Sequence, residues 1–150
     1  VEAAEYAKTK LDLIITDHHK DAAEMIPPAY AVVNPNRRDE DDDSPLKVLA
    51  GVGVAFSLCL EIRELLLKSG KDCPSLYPLL QFFAIGTISD LAKLTPMNLT
   101  LTRHGLKQLL ASEYPGLRTF FTPEEKGLFI GEAKFIRGLI HFYLMQRCAI

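Results

Sequence analysis

The stretch "LDLIITDHHKDA" (residues 11–22) constrains the chain most. Leu11, Leu13, Ile14 and Ile15 supply an apolar run, and the chain then turns polar at Thr16-Asp17-His18-His19. Residues 11–16 read as a strand, nearly all apolar, as in a parallel strand covered on both faces. "AYAVVN", 29–34, reads as a second short strand, with Asn34-Pro35-Asn36 as its exit turn. A short helix over about residues 20–26 would join the two as a β-α-β crossover. The expected class is therefore α/β, a parallel sheet flanked by helices.

Asp17-His18-His19 would then lie just past the C-terminal end of a parallel strand, the rim where open α/β sheets bind ligands. Three adjacent titratable groups are costly to bury unless they are paired or bind a metal, and cheap if they stand in water. Two readings follow. One is a plain polar strand exit. The other is a metal site, since imidazole with carboxylate suits manganese, zinc or iron, and carboxylate alone leans to magnesium. In that site one histidine would point at metal and the next at substrate. The aspartate could orient a metal-bound imidazole through its other nitrogen.

The rest of the chain reads as mostly helical. Residues 2–10 form the end of a helix, rich in helix formers. "RRDEDDD", 37–43, reads as a solvated loop; its consecutive carboxylates repel one another and are expected to stay exposed and distant from His18. Ser44-Pro45 offers an N-cap and a first-turn proline. Val48, Val52, Ala55, Cys59, Ile62 and Leu66 recur at helical spacing, and Gly70 is a stop signal. "PSLYPLLQFFAIGTISDLAKL" predicts a helix ending near Ser89-Asp90, and Met97 to Leu110 predicts another, with Leu99, Leu106, Leu109 and Leu110 inward. Residues 115–121 and about 132–147 are expected to be helical too. The α/β part would occupy about 1–70 and the helical part about 71–150.

At 150 residues the chain favours one domain. With hydrophobic residues at 48%, it can bury a core without staples. Cys59, Cys73 and Cys148 are odd in number and lack CxxC spacing, against a disulfide framework or structural zinc. Cys59 falls on the apolar helical stripe and reads as a small core residue. A reducing cytoplasm is the default location. The mostly apolar stretch Leu76 to Gly86 is well short of the roughly 18–20 residues needed to span a membrane. The net charge of -2 gives no global argument for nucleic acid, so any such binding needs a local basic surface.

Four pieces, "LDLIITDHH", "AYAVVNPN", "LAGVGVAFSLCLEI" and "AIGTISDLAKLTPMNLTLTRHGLKQL", resemble the DHH phosphoesterase family in order and spacing. The likeness is greatest to its RecJ-like single-strand exonucleases, across roughly residues 5–120. The resemblance implies a two-metal phosphodiesterase using Mn2+ or Mg2+. By it His18 and Asp90 are ligands to one ion, His19 faces the scissile phosphate, and Asp17 supports the site. Without the resemblance, Asp90 reads as a helix-end carboxylate. The predicted geometry is convergence of His18 and Asp90 on the same rim. The activity implied for the full-length protein is 5′-to-3′ hydrolysis of single-stranded DNA in repair and recombination.

The family's upstream carboxylate motifs and its C-terminal substrate-binding domain have no counterpart in these residues. "LFIGEAKFIRGLIHF" matches the family no further than "FIG". The start at Val1 and the apolar pattern running up to Ile150 lead to the expectation that residues are missing at one or both ends. The chain alone is accordingly expected to be inactive.

Three further groups each carry two readings. Gly51 and Gly53 let backbone amides approach a phosphate at a helix start, or let the helix pack tightly on the sheet. Arg103 and His104, with Lys107, contact single-stranded nucleic acid, or form an exposed helical face. His141 is most simply structural. Two alternatives to the exonuclease remain: a relative cleaving short oligoribonucleotides or cyclic dinucleotides, and, from another class, a DHH-fold scaffold in a replication complex.

Overall fold

The computed structural model describes residues 2–20 and 26–120. Helix α1 (Glu2–Lys8) leads into β1 (Ile14–Thr16), which pairs in parallel with β2 (Ala31–Val33). The register is Ile14 to Ala31, Ile15 to Val32 and Thr16 to Val33. Bonds from Tyr30 N–H to the Leu13 carbonyl (2.8 Å) and from Asp17 N–H to the Val33 carbonyl (3.0 Å) extend the ladder at either end. The parallel arrangement is the one expected; the residues predicted to form the crossover helix fall mainly at 21–25, outside the described residues. Both strands are shorter than the apolar runs. Nor is β1 covered on both faces, because Ile14 remains 50% exposed and Leu11 is exposed too. Among the described residues the sheet has two strands and α2 is the helix packed against β1, so one side lacks a cover.

Ser44 caps a turn as predicted, its Oγ accepting from Leu46 N–H at 3.3 Å, but the turn is a short 3-10 helix, Pro45–Val48. The chain then extends through Leu49 and Ala50, both buried, and helix α2 begins only at Gly51 (Gly51–Lys68). Its end follows the sequence signal. Gly70 adopts φ +78, its N–H bonds the Leu67 carbonyl (3.0 Å), and Lys71 N–H bonds the Leu66 carbonyl (3.0 Å). This is the Schellman arrangement that glycine favours.

The inward face of α2 differs from the predicted stripe. Gly53, Val54 and Phe56 are buried, whereas Cys59 and Ile62 are exposed. The first half of α2 is apolar all round, so its pattern selects no face. Its second half presents Leu60, Ile62 and Leu65 outward, and the core-cysteine reading of Cys59 is thereby overturned.

A 3-10 turn, Tyr77–Leu79, opens α3 (Leu80–Ser89); α4 (Pro96–Leu110) and α5 (Pro115–Phe120) follow. The helix predicted at 132–147, with His141, lies outside the described residues, as does Cys148. Leu49, Val54, Phe56, Leu80 and Phe83 form the core, with Phe56 and Phe83 edge to face at 5.7 Å. The main helix contact joins α3 to α4. Gly105 makes it possible: a Cβ there would stand 1.9 Å from the Leu80 carbonyl oxygen and 2.7 Å from Ala84 Cβ. Gly86 does the same between α3 and α2, where a Cβ would meet Val52 Cγ1 at 2.4 Å. No helix among the described residues is long and apolar enough to cross a membrane.

Candidate metal centre

The polar exit of β1 folds on its own aspartate. Asp17 Oδ1 accepts from His18 N–H (2.7 Å), from His19 N–H (3.2 Å) and from the His19 ring at Nδ1 (2.6 Å). Partial burial pushes the Asp17 carboxyl up, but the bonds from the His19 ring and the two backbone amides outweigh it and hold the group below the usual carboxylate range. It is thus a fixed anion at neutral pH, and it sets the His19 ring. The His18 and His19 rings lie 4.5 Å apart, tilted by 49°.

His18 turns the other way. Its Nδ1 stands 3.5 Å from Asp90 Oδ2 across 72 positions of sequence, with the two side chains 24% and 43% exposed. Asp90 is the C-cap of α3, its N–H bonded to the Gly86 carbonyl at 3.0 Å. The next residue, Leu91, takes φ 50 where helix ends favour glycine, and is 90% exposed. Bonds from Leu91 N–H to the Ile88 carbonyl (3.1 Å) and from Ala92 N–H to the Thr87 carbonyl (3.1 Å) close the helix around it. The His18 ring also lies on the first turn of α2, since a Cβ at Gly51 would meet His18 Cδ2 at 3.2 Å. Gly51 is therefore part of the site's wall. Gly53 is not: it is buried against Leu49 and Phe83, where it serves packing.

Three asparagines brace this geometry; from the sequence Asn34 and Asn36 read only as an exit turn, and Asn98 carries no role. Asn34 donates from Nδ2 to the His19 carbonyl (3.0 Å), and Asn36 donates to the His18 carbonyl (2.7 Å). Asn98, wholly buried, donates to the carbonyls of Lys93 (2.8 Å) and Val48 (3.2 Å). It ties the loop after Asp90 to the segment before Gly51. Asn98 stands between Met97 and Leu99 as an isolated polar residue, whereas Asn34 and Asn36 flank Pro35 in a turn signal.

The remaining candidates sit elsewhere. Arg103 and His104 are exposed on α4, and His104 Nδ1 shares a hydrogen bond with Tyr77 Oη at 3.3 Å. Tyr77 opens the turn before α3 while Asp90 caps its far end, so the ten residues of α3 separate them by roughly 15 Å of helix rise. Asp39 to Asp43 are exposed, as predicted. Asp39 pairs with Arg37, and Asp42 with Lys47 at 2.8 Å.

A histidine nitrogen and a carboxylate oxygen at this separation suit a shared ion, because bonds of about 2.0–2.2 Å require donors within about 4.4 Å of each other. They are part of a donor set and not the whole of one. Among the described residues there is no group of three or more histidine, cysteine, aspartate or glutamate side chains placed to hold a metal ion.

A parallel strand pair whose polar exit converges with a helix-end carboxylate marks an α/β domain with a candidate metal centre at its rim. The match of residues 1–87 to the DHH family, N-terminal domain, makes the assignment particular: the chain belongs to the DHH family. The matched region stops three positions short of Asp90, so the pairing of Asp90 with His18 stands on geometry. The chain is similar to the single-stranded-DNA-specific exonuclease RecJ of Salmonella typhimurium, 40% identical over 121 residues, covering 75% of this chain and 20% of that protein. It is similar also to RecJ of Bacillus subtilis (39% over 123 residues; 82% and 14%) and of Thermus thermophilus (35% over 117 residues; 78% and 16%). The chain thus spans a fifth or less of the length of these relatives. No solved structure matches it significantly.

Proposed function

We propose that this chain is part of the catalytic domain of a cytoplasmic, metal-dependent 5′-to-3′ exonuclease that degrades single-stranded DNA in repair and recombination. The observation that carries the reading is the convergence of His18 and Asp90 beside the Asp17–His19 pair. His18 and Asp90 are the ligands of one Mn2+ or Mg2+ ion. His19, its ring held by Asp17 and largely exposed, faces the scissile phosphate. The amides of the α2 first turn, opened by Gly51, approach the phosphate from the other side. Paired ions about 3.5–4 Å apart, when bound, activate water and stabilise charge on phosphoryl oxygens. Two donors fall short of the roughly six that such ions favour, so water and further ligands complete the set. Arg103 and His104, an exposed basic pair distant from His18, have at most a backbone-tracking role.

The test is a labelled single-stranded oligonucleotide with Mn2+, offered to the full-length protein, its His18→Ala variant and this chain. Cleavage by the full-length protein, lost in the variant and absent from the chain alone, is the expected pattern. Robust His18-dependent cleavage by the 150-residue chain would show that its own residues complete the site. Preference for short oligoribonucleotides or cyclic dinucleotides over DNA would move the substrate class, and absence of cleavage in the full-length protein would favour a scaffold.

A further inference from the structure

The ladder between β1 and β2 ends at Asp17, and His18 and His19 lie just beyond it. Both of their carbonyls are taken, and both by side chains of the neighbouring strand's exit turn. Asn34 holds the His19 carbonyl across 15 positions, and Asn36 holds the His18 carbonyl across 18. The turn itself needs neither of these amides. It closes locally, through Asn36 N–H donating to Asn34 Oδ1 at 2.9 Å. Pro35, buried between them, fixes φ and carries no N–H to satisfy. Asn36 also reaches the Lys47 carbonyl at 3.4 Å, two residues before the extended link to Gly51. His18 is thereby fixed twice: its backbone by Asn36 and its ring by the α2 turn that Gly51 opens.

We infer that Asn34 and Asn36 are positioning residues of the metal centre: they hold the two histidine carbonyls in one conformation, so that the His18 ring meets Asp90 while the His19 ring turns back to Asp17. The inference rests on the reading of His18 as a metal ligand. A side chain acting through the ligand's own backbone controls where the imidazole nitrogen stands, and loss of such outer partners typically costs about 10–100-fold in metal affinity or activity.

The experiment compares Asn36→Ala, Asn34→Ala and His18→Ala with the unaltered full-length protein. It reads Mn2+ affinity from Mn2+-induced broadening of the histidine ring resonances, then kcat and KM on a single-stranded oligonucleotide, with circular dichroism as the control for folding. Asn36 is half-buried, and its variant carries the test if the buried Asn34 variant fails to fold. The expected result for Asn36→Ala is an apparent Kd for Mn2+ raised about tenfold and kcat lowered about 10–100-fold, with KM within about threefold. Kd and kcat within twofold of the unaltered protein, alongside a lowered melting temperature, would overturn the inference and leave the asparagines as fold elements only. If His18→Ala itself retains Mn2+ binding and cleavage, the metal reading fails instead, and the ring signals of His18 and His19 decide. Signals shifted or doubled in Asn36→Ala uphold the positioning role, and unchanged signals refute it.

Discussion

The strand region and the helical region are held by different forces. Around β1 and β2 the apolar side chains are at most half-buried, with Leu11, Ile14 and Tyr30 exposed, while the buried residues at the strand exit are Asn34 and Pro35. Order there comes from side-chain amides and Asp17 bonding to backbone. Across α2, α3 and α4 the opposite holds. Phe83, Ala84 and Leu80 are buried, and glycines bring helix backbones almost into contact. The candidate metal centre lies where the two regions meet: His18 comes from the hydrogen-bonded part, and Asp90 from the end of a packed helix. Precision on one side depends on donor geometry and on the other on shape, so the two sides answer to different substitutions.

The largest effect is expected in the packed region. Gly105→Ala places a methyl group against the Leu80 carbonyl, and α3 must move away from α4. Overpacking of this kind costs about 1–3 kcal/mol or more, only partly offset by the roughly 1 kcal/mol by which alanine exceeds glycine in helix propensity. Urea unfolding should show a loss of about 2 kcal/mol. A variant as stable as the parent would mean that the helices cross less closely than described.

The next effect joins the regions. Asn98→Ala removes both bonds that tie Val48 to Lys93 and leaves those carbonyls without this donor. A loss of about 1 kcal/mol is expected, the low end of what unsatisfied buried groups cost. Because Asp90 and Gly51 sit near the two ends of that tie, Mn2+ affinity should weaken as well. Loss of stability with unaltered Mn2+ affinity would show that the helical region tolerates slack that the site does not feel.

A small gain is expected at Leu91. Left-handed backbone costs a side chain about 1–2 kcal/mol, and Leu91 is fully in solvent with no packing to offset it. Leu91→Gly relieves this but adds freedom to the unfolded chain, worth about 0.5–1 kcal/mol. The net stabilisation by thermal melting should stay below about 1 kcal/mol. A net loss would indicate that Leu91 is covered in the full-length protein.

How much could be read from the sequence followed the same division. Local signals worked: the Gly70 stop, the α3 end at Ser89-Asp90, the α4 span and the parallel order of the two strands are all present. The face of α2 was not legible, because "VGVAFSLCL" is apolar on every side and only the position of α3 selects Val54 and Phe56. The break at Leu49-Ala50 was hidden for the same reason: burial, not propensity, extends those two residues. At the site the sequence points to Asp17, His18, His19 and Asp90, and the structure sets His18 beside Asp90 and His19 against Asp17. The resemblance singled out Asp90; residue patterning alone gave only a helix-end carboxylate. The roles of Asn34, Asn36 and Asn98 escaped, since each acts on a carbonyl 15, 18 or 50 positions away. Nothing in local sequence states such a partner.

The central claim is that His18 and Asp90 serve one ion. A double-mutant cycle on Mn2+ affinity in the full-length protein tests it most directly, using His18→Ala, Asp90→Ala and the double variant. If both side chains hold the same ion, each single change weakens binding strongly, and the second adds much less than it costs alone. Losses that simply add, or an Asp90→Ala protein that binds Mn2+ as tightly as the parent, would contradict the shared site and return the pair to a plain surface contact between an imidazole and a helix cap.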